Sequence, residues 1–115
     1  MTCDDYKIVW LSTTVAVDCG RLVILRHGRD VTLTRRAWNI LMALLDNRGL
    51  VLSTDALIHA GWGDELDHTA DELYHQIHRI RLAIEDDPSA PRILLNRREF
   101  GYVLQIPAEG AHLSS

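Results

Sequence analysis

The feature that most constrains this fold is a long amphipathic helix that runs into a proline-fixed turn and then a short basic hairpin. Apolar side chains recur at helical spacing through residues 69–85, which predicts a helix with one buried stripe. Pro88 and Pro91 prevent that helix from continuing. Two β-favouring runs then flank the arginine-containing residues 96–99, and they predict a hairpin over residues 92–104. The stripe consists of Leu73, Ile77, Ile80 and Ile84.

Residues 8–33 have the pattern of a small antiparallel sheet. Four short β-favouring runs are separated by turn signals at residues 18–20 and 27–29. We expect three or four strands with one face covered by helices. The runs are residues 8–11, 15–17, 22–25 and 30–33.

Two further helices are predicted between the sheet and the amphipathic helix. Thr34 is a candidate N-cap for a helix over residues 35–47, and Ser53 is a candidate N-cap for a helix over residues 54–60. The sequence from Gly61 to Gly63 is expected to end the second helix. At 115 residues the chain is predicted to form one α+β domain. Its parts are a sheet at 8–33, a helical core at 34–86, a hairpin at 92–104 and a frayed tail at 105–115.

In this order the motifs resemble the winged-helix DNA-binding domain of OmpR/PhoB-type response regulators, in the variant of CadC/ToxR-like regulators. The resemblance implies a winged helix-turn-helix fold with an N-terminal antiparallel sheet, three helices and a C-terminal β-hairpin wing. It also implies a DNA-binding transcriptional regulator. The matching motifs are Leu33-Thr34, Val51-Leu52-Ser53, Trp62-Gly63, Ile80-Arg81, Asp86 to Arg92 and Gly101 to Leu104.

The resemblance implies that the third helix enters the major groove, and that the wing touches the minor groove or the phosphates. The residue types suit those contacts, because glutamine and arginine read base edges and histidine and tyrosine bond phosphates. A narrow groove attracts the guanidinium groups of adjacent arginines. Ordinary solvated surface is the alternative for each position. The candidate DNA-binding residues are Arg97, Arg98, Arg79, Arg81, Tyr74, His75, Gln76 and His78.

The charge distribution favours a second hypothesis, a winged helix that contacts proteins. The net charge is −4, and residues 49–78 contain no lysine or arginine. Asp71 stands where the family usually has arginine at the start of the recognition helix, and Glu99 replaces a wing glycine. A winged helix of this kind would bind RNA polymerase, another regulator or a second copy instead of DNA. The loop before the third helix resembles a polymerase contact, with Asp64, Glu65 and Asp67 as candidates, or as ordinary charges near a helix N-terminus.

Several other function classes are not favoured. No nucleophile motif or glycine-rich phosphate loop is present, so neither an enzyme nor a cofactor is predicted. His75 and His78 lie three residues apart with His68 upstream, but no cysteine or acidic partner completes a metal site. Cys3 and Cys19 lack CxxC spacing and are expected to be reduced thiols.

We expect a cytoplasmic protein without a membrane partner. No apolar run reaches the ~20 residues of a membrane span, and the N-terminus lacks the pattern of a signal peptide. The family usually joins this domain to a receiver or a membrane segment, and neither is found in this sequence. The expected partners are double-stranded DNA and, on repeated half-sites, a second copy of the chain.

Overall fold

A four-stranded antiparallel sheet opens the described chain, which in this computed structural model comprises residues 8–63 and 70–106. The strands lie in sequence order and pair consecutively. The prediction of a sheet in this region is therefore confirmed, although Leu11, Leu22, Thr32 and Leu33 lie outside its strands. The strands are β1 (Ile8–Trp10), β2 (Val15–Asp18), β3 (Val23–Arg26) and β4 (Arg29–Val31).

Three helices follow the sheet, and two of them begin at the predicted caps. The Thr34 hydroxyl accepts a hydrogen bond from the backbone N–H of Ala37 at 3.2 Å. The Ser53 hydroxyl accepts one from Ala56 at 3.0 Å. Each cap satisfies a backbone donor that has no partner inside its helix. The helices are α1 (Arg35–Asp46), α2 (Thr54–Trp62) and α3 (Ala70–Ile84).

Helix α2 ends two residues later than the sequence predicts. Gly61 lies inside the helix, where a Cβ atom would come within 2.9 Å of the Ile40 side chain on α1. The glycine therefore permits close packing of two helices instead of ending one. Gly63 ends α2 with a positive φ of 64°, and Trp62 before it is buried.

A two-stranded hairpin, which we call the wing, closes the described chain with β5 (Leu94–Arg97) and β6 (Gly101–Leu104). Its turn comprises residues 98–100, not the predicted residues 96–99. Arg97 is still in β5 and pairs with Gly101, whereas Phe100 belongs to the turn and not to a strand. The turn therefore begins two residues later and ends one residue later than predicted, because the Arg97–Gly101 pair leaves three residues between the strands.

The sheet, the helices and the wing share one core. The stripe of α3 is fully or almost fully buried, as predicted, and it packs with α1, α2 and the inner face of the sheet. Gln105 and Ile106, predicted to be frayed, are attached to this body. The Gln105 N–H donates to the Ile93 carbonyl at 2.8 Å, and Ile106 packs against the core. Residues 107–115 lie outside the described part of the chain.

Cys19 is disulfide-bonded, so the prediction of a reduced thiol is wrong at this residue. Cys3, also predicted to be a reduced thiol, lies outside the described residues. Spacing along the chain could not have shown the bond, because a disulfide requires only that the fold bring two Cα atoms to within ~4.4–6.8 Å.

Candidate nucleic-acid interface

Helix α3 exposes a polar face on the side opposite its buried stripe. Tyr74 and Leu82 are each just over half exposed, and the rings of Tyr74 and His75 meet edge to face at 6.5 Å. The face is thus aromatic and polar at its start and includes an arginine near its end. Its exposed members are Asp71, Tyr74, His75, His78, Arg79 and Leu82.

Two of the candidate residues on α3 point elsewhere. Arg81 is half-buried, and its Nε and Nη2 atoms donate to the carbonyl oxygen of Leu94 at 3.2 and 3.0 Å. Its guanidinium also lies 5.9 Å from the centre of the Tyr102 ring. Gln76 is half-buried, and its Oε1 atom has no hydrogen-bond partner among the described residues. Arg81 therefore ties the helix to the wing, and Gln76 lies at the edge of the exposed face.

The wing tip presents both predicted arginines to solvent. Arg97 and Arg98 are exposed, and neither guanidinium has an ion-pair or hydrogen-bond partner in the described part of the chain. The backbone N–H of Phe100 donates to the Arg97 carbonyl at 2.8 Å and closes the turn. Glu99 adopts a left-handed conformation with φ 74°, which glycine would adopt without strain.

The stem of the wing is fixed to the body of the domain through Leu52. The Leu52 N–H donates to the Tyr102 carbonyl at 2.8 Å, and the Tyr102 N–H donates back at 3.0 Å. Gly101 makes this approach possible, because a Cβ atom there would lie 1.9 Å from the Leu52 oxygen. Burial raises the pKa of the Tyr102 phenol, and the nearby Arg81 charge partly opposes that shift.

A buried carboxylate that sequence reasoning missed joins the end of α3 to the start of the wing. The Glu85 side chain, in a residue only 2% exposed, accepts backbone hydrogen bonds from Arg92 at 2.9 Å, Ile93 at 3.0 Å and Leu94 at 2.7 Å. The Arg26 Nη1 atom donates to the Glu85 carbonyl at 2.7 Å, which adds the sheet to the same junction. The only sequence signal was a glutamate directly after an apolar stripe, which is more often solvated.

These contacts place the wing beside α3 at a definite offset. The Arg81 bond fixes Leu94 against the helix, and Arg98 lies four residues further along the wing, or ~13 Å of extended chain. Along this surface, three arginines (Arg79, Arg97 and Arg98) stand against two carboxylates (Asp71 and Glu99).

The remaining residues predicted from sequence have less structural support or lie elsewhere. Asp64, Glu65, Asp67 and His68 fall outside the described residues. Within residues 8–63 and 70–106, no three histidine, cysteine or acidic side chains come together as a metal site would require. In that same part of the chain, no helix has the length and apolar character needed to cross a membrane.

Comparison with known proteins identifies relatives of this chain. Residues 28–104 match the profile of the family described as "Transcriptional regulatory protein, C terminal". A probable transcriptional regulator, ycf27 of Galdieria sulphuraria, is 31% identical over 91 residues. That match covers 77% of this chain and 36% of the relative, so the chain spans about a third of the relative's length.

Solved structures show the same fold. The response regulator DrrB, an OmpR/PhoB homologue of Thermotoga maritima, superposes with a TM-score of 0.75 at 26% identity, over 86% of this chain and 44% of that one. The DNA-binding domain of E. coli CadC gives 0.73 at 26% identity, over 88% and 94%. The RstA DNA-binding domain of Klebsiella pneumoniae, solved with the RstA box, gives 0.72 at 20% identity, over 89% and 100%. These likenesses confirm the predicted winged-helix fold.

Proposed function

This chain belongs to the family of C-terminal domains of transcriptional regulatory proteins, and on that basis we propose that it binds double-stranded DNA as a transcriptional regulator. One observation carries the proposal: an exposed polar helix face lies beside an arginine-tipped hairpin that is bonded to the same helix. The RstA domain, which shares this fold, was solved in complex with its DNA box.

In the proposed complex, α3 lies in the major groove, which is ~12 Å wide and admits one helix. His75, His78 and Arg79 then face base edges and phosphates, with Tyr74 at the border of the groove. The wing tip lies ~13 Å beyond the Leu94 contact, far enough for Arg97 and Arg98 to reach the adjacent phosphates or minor groove. Arg81 supports the arrangement from inside the protein.

The three exposed arginines of this surface imply binding that weakens with salt, and the small number of contacts makes that dependence moderate. Three arginines that neutralise three phosphates give a slope of about −2.7 in a plot of log K against log salt, because each contact contributes about −0.9. Asp71 and Glu99 repel phosphates and lower the affinity, and at physiological salt that repulsion decays with a Debye length of ~8 Å.

The test is a salt titration of duplex binding by the double variant Arg97→Ala/Arg98→Ala. We expect weaker binding to every sequence and a slope shallower by about 1.8, from the loss of two phosphate contacts. Arg29→Ala, an exposed arginine on β4 of the sheet, is the matched control and should retain the wild-type slope. Wild-type affinity and slope in the double variant would overturn the role of the wing.

A protein-binding role is the second candidate, because Tyr74 is 54% and Leu82 53% exposed on the face that would meet DNA. Such a domain would bind neither heparin nor random duplex at low salt, and its binding to a partner would fall with Leu82→Ala. RNA polymerase, another regulator and a second copy are the partners of this proposal. Asp64, Glu65 and Asp67 are still candidates for the polymerase contact.

We further propose that residues 8–106 act as one unit and that two copies bind repeated half-sites. Helix-turn-helix dimers require half-sites one helical turn of ~34–36 Å apart, or a multiple of it. Selection from random duplexes would return paired motifs at that spacing. A role on DNA requires a compartment that contains DNA, and the cytoplasm is the location that we propose.

A further inference from the structure

We propose that Phe100, at the tip of the wing, is a wedge that inserts between base pairs in the minor groove and bends the duplex. The proposal rests on the DNA-binding function and adds a specific contact to it. Phe100 is 74% exposed, a higher fraction than for any other large exposed apolar side chain in the described residues. Such a side chain at the end of a hairpin contributes nothing to the core of this domain.

The backbone that carries the ring is held by hydrogen bonds on both sides of Phe100. The Phe100 N–H is bonded to the Arg97 carbonyl at 2.8 Å, and the next residue, Gly101, pairs with Arg97 in the hairpin. One residue beyond, Tyr102 exchanges two backbone hydrogen bonds with Leu52. The backbone at the wing tip is therefore hydrogen-bonded to the body of the domain within two residues of Phe100, which fixes where the ring is presented.

The surroundings of Phe100 match the chemistry of a minor-groove wedge. Proteins that bend DNA through this groove push Phe, Leu, Ile, Met or Pro between base steps while cations hold the backbone, and the kinks reach about 20–90°. Arg97 and Arg98 supply exposed cations within three residues of the ring, and neither is engaged by the described protein. The guanidinium groups favour a nucleic acid over an apolar protein surface as the occupant.

If Phe100 acts as a wedge, the protein should prefer DNA sites that contain an easily unstacked base step, a preference that hydrogen bonds to base edges would not produce. Pyrimidine–purine steps such as TA and CA unstack most easily, so they lower the cost of insertion. Sites bound by the wild-type chain should carry such a step at a fixed distance from the motif contacted by α3. The ring carries no charge, so its removal should leave the salt slope unchanged.

The experiment compares wild type, Phe100→Ala and Phe100→Leu on sites selected by the wild-type chain from random duplexes. Bending is measured by fluorescence energy transfer between the labelled ends of a 30-bp duplex (about three helical turns). We expect Phe100→Ala to straighten the duplex, lose the TA or CA preference and bind about ten-fold more weakly. Phe100→Leu should retain most of the bend. Leu50→Ala removes another exposed apolar side chain, 63% exposed, and should behave as wild type.

The outcomes separate the wedge from the proposed function. If Phe100→Ala binds and bends the duplex like wild type, the wedge is wrong and DNA binding stands. The wedge is also wrong if the wild-type complex is straight. If the wild-type chain binds no duplex at low salt, the proposed function itself fails, and the wedge fails with it. Thermal unfolding of Phe100→Ala should match wild type because the ring is exposed, so a loss of bending cannot be attributed to misfolding.

Discussion

Gly101 is the residue at which the wing and the body of the domain come closest together. Its φ is 145°, and a Cβ atom at this position would lie 1.9 Å from the Leu52 oxygen, so there is no room for a side chain. We expect Gly101→Ala to lower the free energy of unfolding by about 3–5 kcal/mol, since it strains the backbone and separates β6 from Leu52. Urea unfolding measures this loss.

Gly28 provides the matched control for that prediction. It has φ 79°, but nothing lies within 4 Å of the position that a Cβ atom would occupy. Gly28→Ala should therefore cost only the backbone penalty of about 1–2 kcal/mol. If Gly101→Ala and Gly28→Ala lowered the free energy of unfolding equally, the steric conflict with Leu52 would contribute nothing to the effect of Gly101→Ala.

Glu99 combines two unfavourable features at the wing tip. Its backbone is left-handed at φ 74°, and its carboxylate lies next to arginines that are proposed to meet phosphate. Glu99→Gly should stabilise the domain by up to about 1 kcal/mol, because glycine adopts this conformation without strain. It should also tighten duplex binding.

Two further variants of Glu99 separate conformation from charge. Asparagine tolerates the left-handed region better than glutamine does, whereas both remove the charge. Unfolding stability should fall in the order Gly, Asn, Gln, and duplex affinity should rise about equally in all three. If duplex affinity instead fell in the same order as stability across the three variants, the gain in affinity would come from the conformation of the turn and not from the loss of the Glu99 charge.

The helices and strands could be predicted from the sequence wherever local chemistry decides their structure. The caps at Thr34 and Ser53, the stripe of α3 and the strand-forming runs of the sheet all follow from side-chain spacing and hydrogen-bonding capacity. The errors at Gly61 and in the turn of the wing have a common cause. Each position is set by a contact with another element, with α1 at Gly61 and with the paired strand at Arg97, and local pattern does not contain that information.

A variant at the junction of α3 and the wing tests whether Arg81 holds the wing in place or contacts DNA directly. Arg81→Met keeps the apolar stem but loses both hydrogen bonds to Leu94, which should cost about 1–2 kcal/mol of stability. Duplex affinity should fall because the wing is less well placed, while the salt slope stays at the wild-type value.

Arg79→Met, two residues earlier on the same helix, is the comparison for Arg81. Arg79 is exposed, so its loss should make the slope shallower by about 0.9 with little effect on stability. A slope change of that size in Arg81→Met would mean that Arg81 also contacts phosphate, whereas the sequence suggested a contact with base edges.

Only part of the candidate site could be predicted from the sequence. The exposed arginines of the wing could be predicted because a hairpin tip has few ways to bury a charge. The support beneath them could not. Glu85 serves α3 and the wing, and Arg26 joins them to the sheet, through bonds between residues up to 59 positions apart. Only the assembled fold brings such groups together.

Two hydrogen-bonded carboxylates determine how the stability of the domain depends on pH in acid. The Arg21 side chain donates to the Asp18 carboxylate at 2.9 Å, which lowers the pKa of Asp18 below its ordinary 3.8. The Ser89 hydroxyl, bonded at 2.6 Å, likewise lowers the pKa of Asp87. Because the folded state holds both carboxylates ionised more strongly than the unfolded chain does, their stabilisation is complete above the ordinary value and is lost as the pH falls through the lowered one.

We therefore expect the urea midpoint to be insensitive to these two groups between about pH 6 and 8 and to fall below about pH 4. Asp18→Asn and Asp87→Asn should each lower the midpoint at neutral pH and flatten its decline in acid, so that the variants approach wild type near about pH 2. Asn96→Ala removes an exposed side chain on β5 that has no titratable group, so it should leave the shape of the acid limb unchanged. A difference in urea midpoint between wild type and Asp18→Asn that grew as the pH fell would contradict a lowered pKa for Asp18. A carboxylate whose ionised form is stabilised by folding loses that contribution when it is protonated.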